Sequence, residues 1–161
     1  MSKVLQINHE KCTGCRLCEL VCAVWHDGIS NPVRSRIRVM KWEMDGISIP
    51  MACQQCKEAP CLHGCPVKAI SRNDQGCVTV DYDICIGCRT CVYVCPFGGM
   101  TYNSIDQKVI KCDLCDGDPQ CVRFCDVQAL EFVEAADVSI IKKREAAQRL
   151  YTADKQDAAL K

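Results

Sequence analysis

The 161-residue chain has little with which to build an ordinary apolar core. Aromatics are 6% of it: two Trp, four Tyr and three Phe. Burial of such rings normally dominates core energetics. It has no excess charge either, with 20 basic and 20 acidic residues. Nothing global therefore points to nucleic acid or to an electrostatically held membrane surface. No stretch approaches the ~18 apolar residues of a membrane span. Residues 1–9 lack an apolar segment of signal-peptide length, so the expected compartment is the cytoplasm. Neither G-x-G-x-x-G nor G-x4-G-K-[ST] occurs, and no nucleotide or flavin site is expected. The three histidines, His9, His26 and His63, have no evident nucleophile to activate, and no catalytic constellation is visible.

What the chain has is cysteine. There are 17, above the ~8–10% at which cysteine becomes the scaffold. Sixteen fall into four runs. Run one is Cys12, Cys15, Cys18 and Cys22. Run two is Cys53, Cys56, Cys61 and Cys65, followed by Pro66. Run three is Cys85, Cys88, Cys91 and Cys95, followed by Pro96. Run four is Cys112, Cys115, Cys121 and Cys125, followed by Asp126. A reducing cytoplasm disfavours eight disulfides and favours metal ligation. Run three is a full C-x2-C-x2-C-x3-C-P, the spacing of [4Fe–4S] ligands in bacterial ferredoxins. Three close thiolates reach three irons of one cubane. The fourth, three residues on, points away and ligates the other cluster of a pair. Four runs of this kind make two pairs and four [4Fe–4S] clusters.

Sequential pairing (one with two, three with four) and nested pairing (one with four, two with three) both satisfy that rule. The residues lean to nested. Runs two and three share the trailing Pro, and runs one and four lack it. Residues 76–81 between runs two and three read as a short strand inside one ferredoxin-like unit. Four all-cysteine zinc sites are the alternative, but zinc sites are usually built from two separated C-x2-C pairs. Cys77 lies outside the pattern and reads as a small packing residue.

The fold class expected is α+β: tandem bacterial-ferredoxin-like units, with short antiparallel hairpins and short helices around [4Fe–4S] clusters, plus a C-terminal helix. Residues 1–134 form the four-cluster domain. Its outer half comes from runs one and four, and its inner half is 50–100. Residues 135–161 form the helix and a polar tail. Strands are expected at 3–8, 108–111 and 131–134, and 37–44 with 47–49 form a hairpin around Asp45-Gly46. Arg34, Arg36 and Arg38 share one strand face, read as a solvated or edge-protecting row. Tyr82, Tyr93, Phe97 and Phe124 are expected to shield clusters. Asp113, Asp116, Asp118 and Asp126 make run four acidic, which predicts a low potential there, while Arg16 and Arg89 push the other way.

This arrangement, with x4 in run two and x5 in run four, resembles the four-cluster iron–sulfur subunits of the dimethyl sulfoxide reductase type. The resemblance implies nested ligation. Cys12, Cys15, Cys18 and Cys125 then hold the first cluster, and Cys112, Cys115, Cys121 and Cys22 the second. Cys53, Cys56, Cys61 and Cys95 hold the third, and Cys85, Cys88, Cys91 and Cys65 the fourth. Residues 26–38 and 142–147 look most like the small iron–sulfur subunit of tungsten aldehyde oxidoreductase complexes. That implies a non-catalytic relay between a tungsten- or molybdenum-pterin subunit and a flavin subunit or ferredoxin. Subunits of formate dehydrogenases, hydrogenases or carbon monoxide dehydrogenases, and free polyferredoxins, are the alternatives. Copies stacked end to end would extend the wire.

Overall fold

A computed structural model describes residues 3–138 together with 140, 143 and 147. Four two-stranded antiparallel sheets are described, with short helices between them. The first strand, β1 (Lys3–Ile7), pairs with the last, β8 (Leu130–Glu134), with Ile7 opposite Leu130. The two ends of the domain thus close on each other. Between them β2 (Ile37–Trp42) pairs with β3 (Ile47–Ala52), β4 (Ile70–Arg72) with β5 (Val78–Val80), and β6 (Met100–Asn103) with β7 (Lys108–Lys111).

A helix carries the third cysteine of each run. The longest, α1 (Leu17–Asp27), starts after Arg16 in the left-handed region and stops at Gly28, φ 68°, whose N–H bonds back to Val24 O. This is a glycine C-cap: only residues without a Cβ penalty take that conformation cheaply. The others, α2 (Pro60–His63), α3 (Thr90–Tyr93) and α4 (Gln120–Arg123), are single turns. Such turns do not persist alone, and they pack as α1 on α4 and α2 on α3.

The buried apolar side chains divide the same way. One cluster holds Cys18, Cys22, Ile37, Val39, Cys121 and Leu130, from both ends of the chain. The other holds Cys61, Ile70, Val78, Cys91, Met100 and Val109 from the middle. A small third group, Cys77, Cys112 and Leu114, with Cys53 packed against it, lies where the two meet.

Several local expectations change. Strands β4 and β6 are additional: each is three or four residues, too short to show a period. The hairpin turn is longer than Asp45-Gly46, because a 3-10 turn over Glu43–Asp45 precedes Gly46. The three arginines do not form a strand face. Arg34 lies in a 3-10 turn (Pro32–Arg34) and pairs with Asp106 at 2.7 Å. Arg36 precedes β2 and faces Asp113 at 3.6 Å. Arg38 donates to Pro32 O. All three tie loops together. Residues 135–138 are helical. The rest of the expected C-terminal helix, and the tail, lie outside the residues described apart from 140, 143 and 147.

A candidate iron–sulfur site

The tight loop that begins runs one and three is the same twice over. In Cys-x-Gly-Cys-Arg-x-Cys the glycine (Gly14, Gly87) and the arginine (Arg16, Arg89) all have positive φ, between 62° and 70°. Two left-handed residues curl the loop so that three cysteines follow one tight bend. Arg89 then lays its guanidinium over the Tyr102 ring, 3.6 Å from the centroid.

The last cysteine of three runs sits in a second repeated turn. Cys65, Cys95 and Cys125 each accept, through their carbonyls, an N–H three residues on, from Lys68, Gly98 and Gln128. Those three residues have positive φ. The next N–H then points at sulfur: Ala69 to Cys65 Sγ, Gly99 to Cys95 Sγ and Ala129 to Cys125 Sγ, all at 3.2 Å. Cys22 lies inside α1, where the i+4 position is helical. Its sulfur accepts instead from Arg36 N at 3.3 Å. Each of these four sulfurs therefore has a backbone N–H donor aimed at it.

Two small pockets are lined by these sulfurs. One is lined by Cys53, Cys56, Cys61 and Cys95, with Pro96 and Phe97 among its walls. The other is lined by Cys65, Cys85, Cys88 and Cys91, with aliphatic walls such as Ile70, Val80 and Val109. Each pocket thus draws three cysteines from one run and a fourth from another. Around Cys121 the electrostatic neighbours are Cys112, Cys22, Cys115 and Cys18, in that order. Around Cys18 the neighbouring sulfurs are Cys15 and Cys12, and Cys125 packs on the same apolar cluster. Run one meets run four, and run two meets run three.

Burial pushes the thiols of Cys18 and Cys112 up to about 12 and that of Cys91 up to about 11. Cys61 and Cys121 move the same way for the same reason. Cys88 is exposed, and its hydrogen bonds with Thr90 hold it below the usual thiol range. Sulfur groups this close are not all charged without a cation, so a metal entering here displaces protons.

Run four is less bare of positive charge than its aspartates suggest. Asp113 meets His26 Nε2 at 3.1 Å and Arg36 at 3.6 Å, and Asp118 meets Arg123 at 3.3 Å. Burial lowers the His26 pKa, but hydrogen bonds to Asp113, Cys115 and Cys22 outweigh it and raise it. The predicted acidic field is in this way met by cations at Asp113 and Asp118. His26 and Arg36 carried no signal for this in sequence, because their partner lies 87 and 77 residues away in the chain. His63 is exposed and faces Glu58, so it does not reach sulfur. Tyr93 is 82% exposed and does not cover a cluster pocket in this chain. Cys77 is buried in the third apolar group, and its thiol donates to Asp113 O at 3.1 Å.

The 4Fe-4S dicluster domain matches residues 44–135, more than half the chain, and the 4Fe-4S binding domain matches residues 5–22. The chain belongs to the 4Fe-4S dicluster domain family. As a dicluster protein it carries [4Fe–4S] clusters as its cofactors, and the four-cysteine pockets fit that group. It is 45% identical over 83 residues to the aliphatic sulfonate oxidoreductase polyferredoxin-like subunit of Pyrococcus furiosus, covering 51% of this chain and 47% of the relative. It is 39% identical over 99 residues to the electron transport protein HydN of Escherichia coli K12, covering 56% and 54%. The chain thus matches about half the length of these relatives. Among solved structures it is similar to a chain of the active site complex BamBC of benzoyl coenzyme A reductase with benzoyl-CoA. That match is 28% identical with a TM-score of 0.51 and covers 96% of both chains. No helix among the described residues is long and apolar enough to cross a membrane.

Proposed function

We propose that this dicluster protein is a non-catalytic electron-transfer subunit with four [4Fe–4S] clusters. Cys12, Cys15, Cys18 and Cys125 form the first site. Cys112, Cys115, Cys121 and Cys22 form the second, Cys53, Cys56, Cys61 and Cys95 the third, and Cys85, Cys88, Cys91 and Cys65 the fourth. The observation that carries this reading is the pair of pockets lined by the third and fourth quartets. When bound, the clusters supply one-electron transfer. The chain's own residues hold them apart from water and aim backbone donors at the remote sulfur of each run. With four cysteines per site no coordination position is left for a substrate.

Cys15 and Cys88 are the exposed cysteines. They belong to the first and fourth sites, which are therefore where redox partners would approach. A catalytic tungsten- or molybdenum-pterin subunit, of the aldehyde oxidoreductase kind, is the proposed partner on one side, with a flavin subunit or ferredoxin on the other. The naming of relatives as subunits of an oxidoreductase and as electron transport proteins supports a partnered relay. Anaerobic purification from the native host tests it. The expected result is about sixteen irons per chain, EPR signals on reduction, and a stoichiometric large subunit carrying tungsten or molybdenum. Zinc in place of iron, or silence on reduction by dithionite, overturns the relay. A redox-active monomer without a partner leaves a free polyferredoxin instead.

A further inference from the structure

Lys111 ends β7 beside Cys112 and is 3% exposed. A lysine that deep is rare unless its charge is paired. Among the described residues no carboxylate lies within ion-pair distance of it. Its Nζ donates to the carbonyls of Val78 and Cys112, the latter at 2.8 Å. Gln55 completes the arrangement. Its Nε2 donates to the same Cys112 carbonyl at 2.7 Å, and its Oε1 accepts from Val78 N at 2.8 Å.

These four residues lie where the two halves meet. Gln55 belongs to the run-two loop, Val78 to β5, Lys111 to β7 and Cys112 to run four. Cys53 of run two packs against the same small cluster as Cys112. Val78, whose carbonyl accepts from Lys111 Nζ, also lines the pocket of Cys53, Cys56, Cys61 and Cys95. The cation thus lies between a wall of the third site and a cysteine proposed for the second. Neutral carbonyls take two of its three hydrogens and leave its charge unpaired. Thiolates gathered around iron are the anions within reach.

We infer that Lys111 is a potential-setting residue for the second and third sites, a buried cation at their junction whose counter-charge is the thiolate shell of both. This rests on the ligand sets proposed above. Reduction adds negative charge, and a buried cation nearby favours it. The two central sites therefore sit higher in potential than they would without it, while the first and fourth, farther along the chain of sites, are little affected.

EPR-monitored redox titration of the anaerobic holo-complex tests this with three variants. Lys111→Gln keeps a donor and removes the charge: two of the four midpoints should move negative and two should stay. Lys111→Arg keeps the charge and should hold all four near wild type. Gln55→Glu leaves Lys111 in place and sets a carboxylate beside it, and should lower the same two midpoints. Full iron content with no shift in Lys111→Gln, or an equal shift of all four, overturns the inference. Where Lys111→Gln fails to retain iron, Gln55→Glu decides, and no shift there overturns it. A wild-type complex with fewer than four titrating centres overturns the ligand reading first, and this inference with it.

Discussion

At single positions the structure separates residues that hold a sulfur from those that hold the loop around it. Gly99 donates its N–H to Cys95 Sγ, and a Cβ there would stand 2.8 Å from Cys53 Cα. That contact is with backbone from another run, which has no flexible end to yield. Gly99→Ala should cost roughly 1–3 kcal/mol and lose about four irons per chain. Iron assay with EPR would register the loss, and an unchanged iron count would show the approach is not tight. Cys77 is the contrasting case. Its thiol is raised from 9.0 to about 11, by burial first and then by the charges of Asp113, Cys53 and Asp116 against that of Lys111. A thiol whose folded pKa is raised adds stability below the unfolded pKa, and that part is lost as pH rises from about 9 to about 11. Cys77→Ala should keep the full iron content and lose less stability than wild type over that window, by about 2 kcal/mol. Thermal unfolding of both proteins at a series of alkaline pH values reads this directly.

At the level of elements, two short motifs are reused. The Cys-x-Gly-Cys-Arg bend opens runs one and three. The turn with a left-handed third residue closes runs two, three and four. Run one departs because α1 is long, and its last sulfur borrows a donor from the start of the β2–β3 hairpin. That hairpin is bound in turn by Glu19 of α1, buried, whose carboxylate accepts from Val39 N at 2.6 Å. The β1–β8 pair closes the outer half through Leu130, 2% exposed. Leu130→Ala should therefore cost about 2–5 kcal/mol, and its damage should fall on the first and second sites. The EPR signals of two centres should weaken with the other two intact. Equal weakening of all four would mean that the halves do not fold separately.

For the molecule as a whole, metal takes the place of apolar bulk. The buried aliphatics are few, and cysteines make up much of each cluster. Metal affinity in such small domains is folding free energy. Anaerobic chelation or oxidative loss of the clusters should abolish most of the far-UV circular dichroism, with recovery on reconstitution by iron and sulfide. A stable fold after complete iron removal would show that packing alone suffices. Exposed apolar side chains also lie beside the two accessible cysteines, Leu17 near Cys15 and Ile86 near Cys88.

Much of this was legible in the order of residues alone. Ligand geometry around a cubane demands close, regular spacing, so the four runs, the α+β ferredoxin-like class and the outlying Cys77 could be read off before any folding. Strands with neighbours of like character, at 3–8 and 108–111, were visible for the same local reason. Contacts across the fold were not. The residues leaned to nested pairing of the runs without fixing it, and the fold packs α1 on α4 and α2 on α3. The compensation of Asp113 by His26 and Arg36, and the burial of Lys111 against Val78 and Cys112, join segments tens of residues apart. Spacing along a chain encodes which atoms can share a metal. Which charges lie beside it, and how dry they are, is decided only when distant segments close around it.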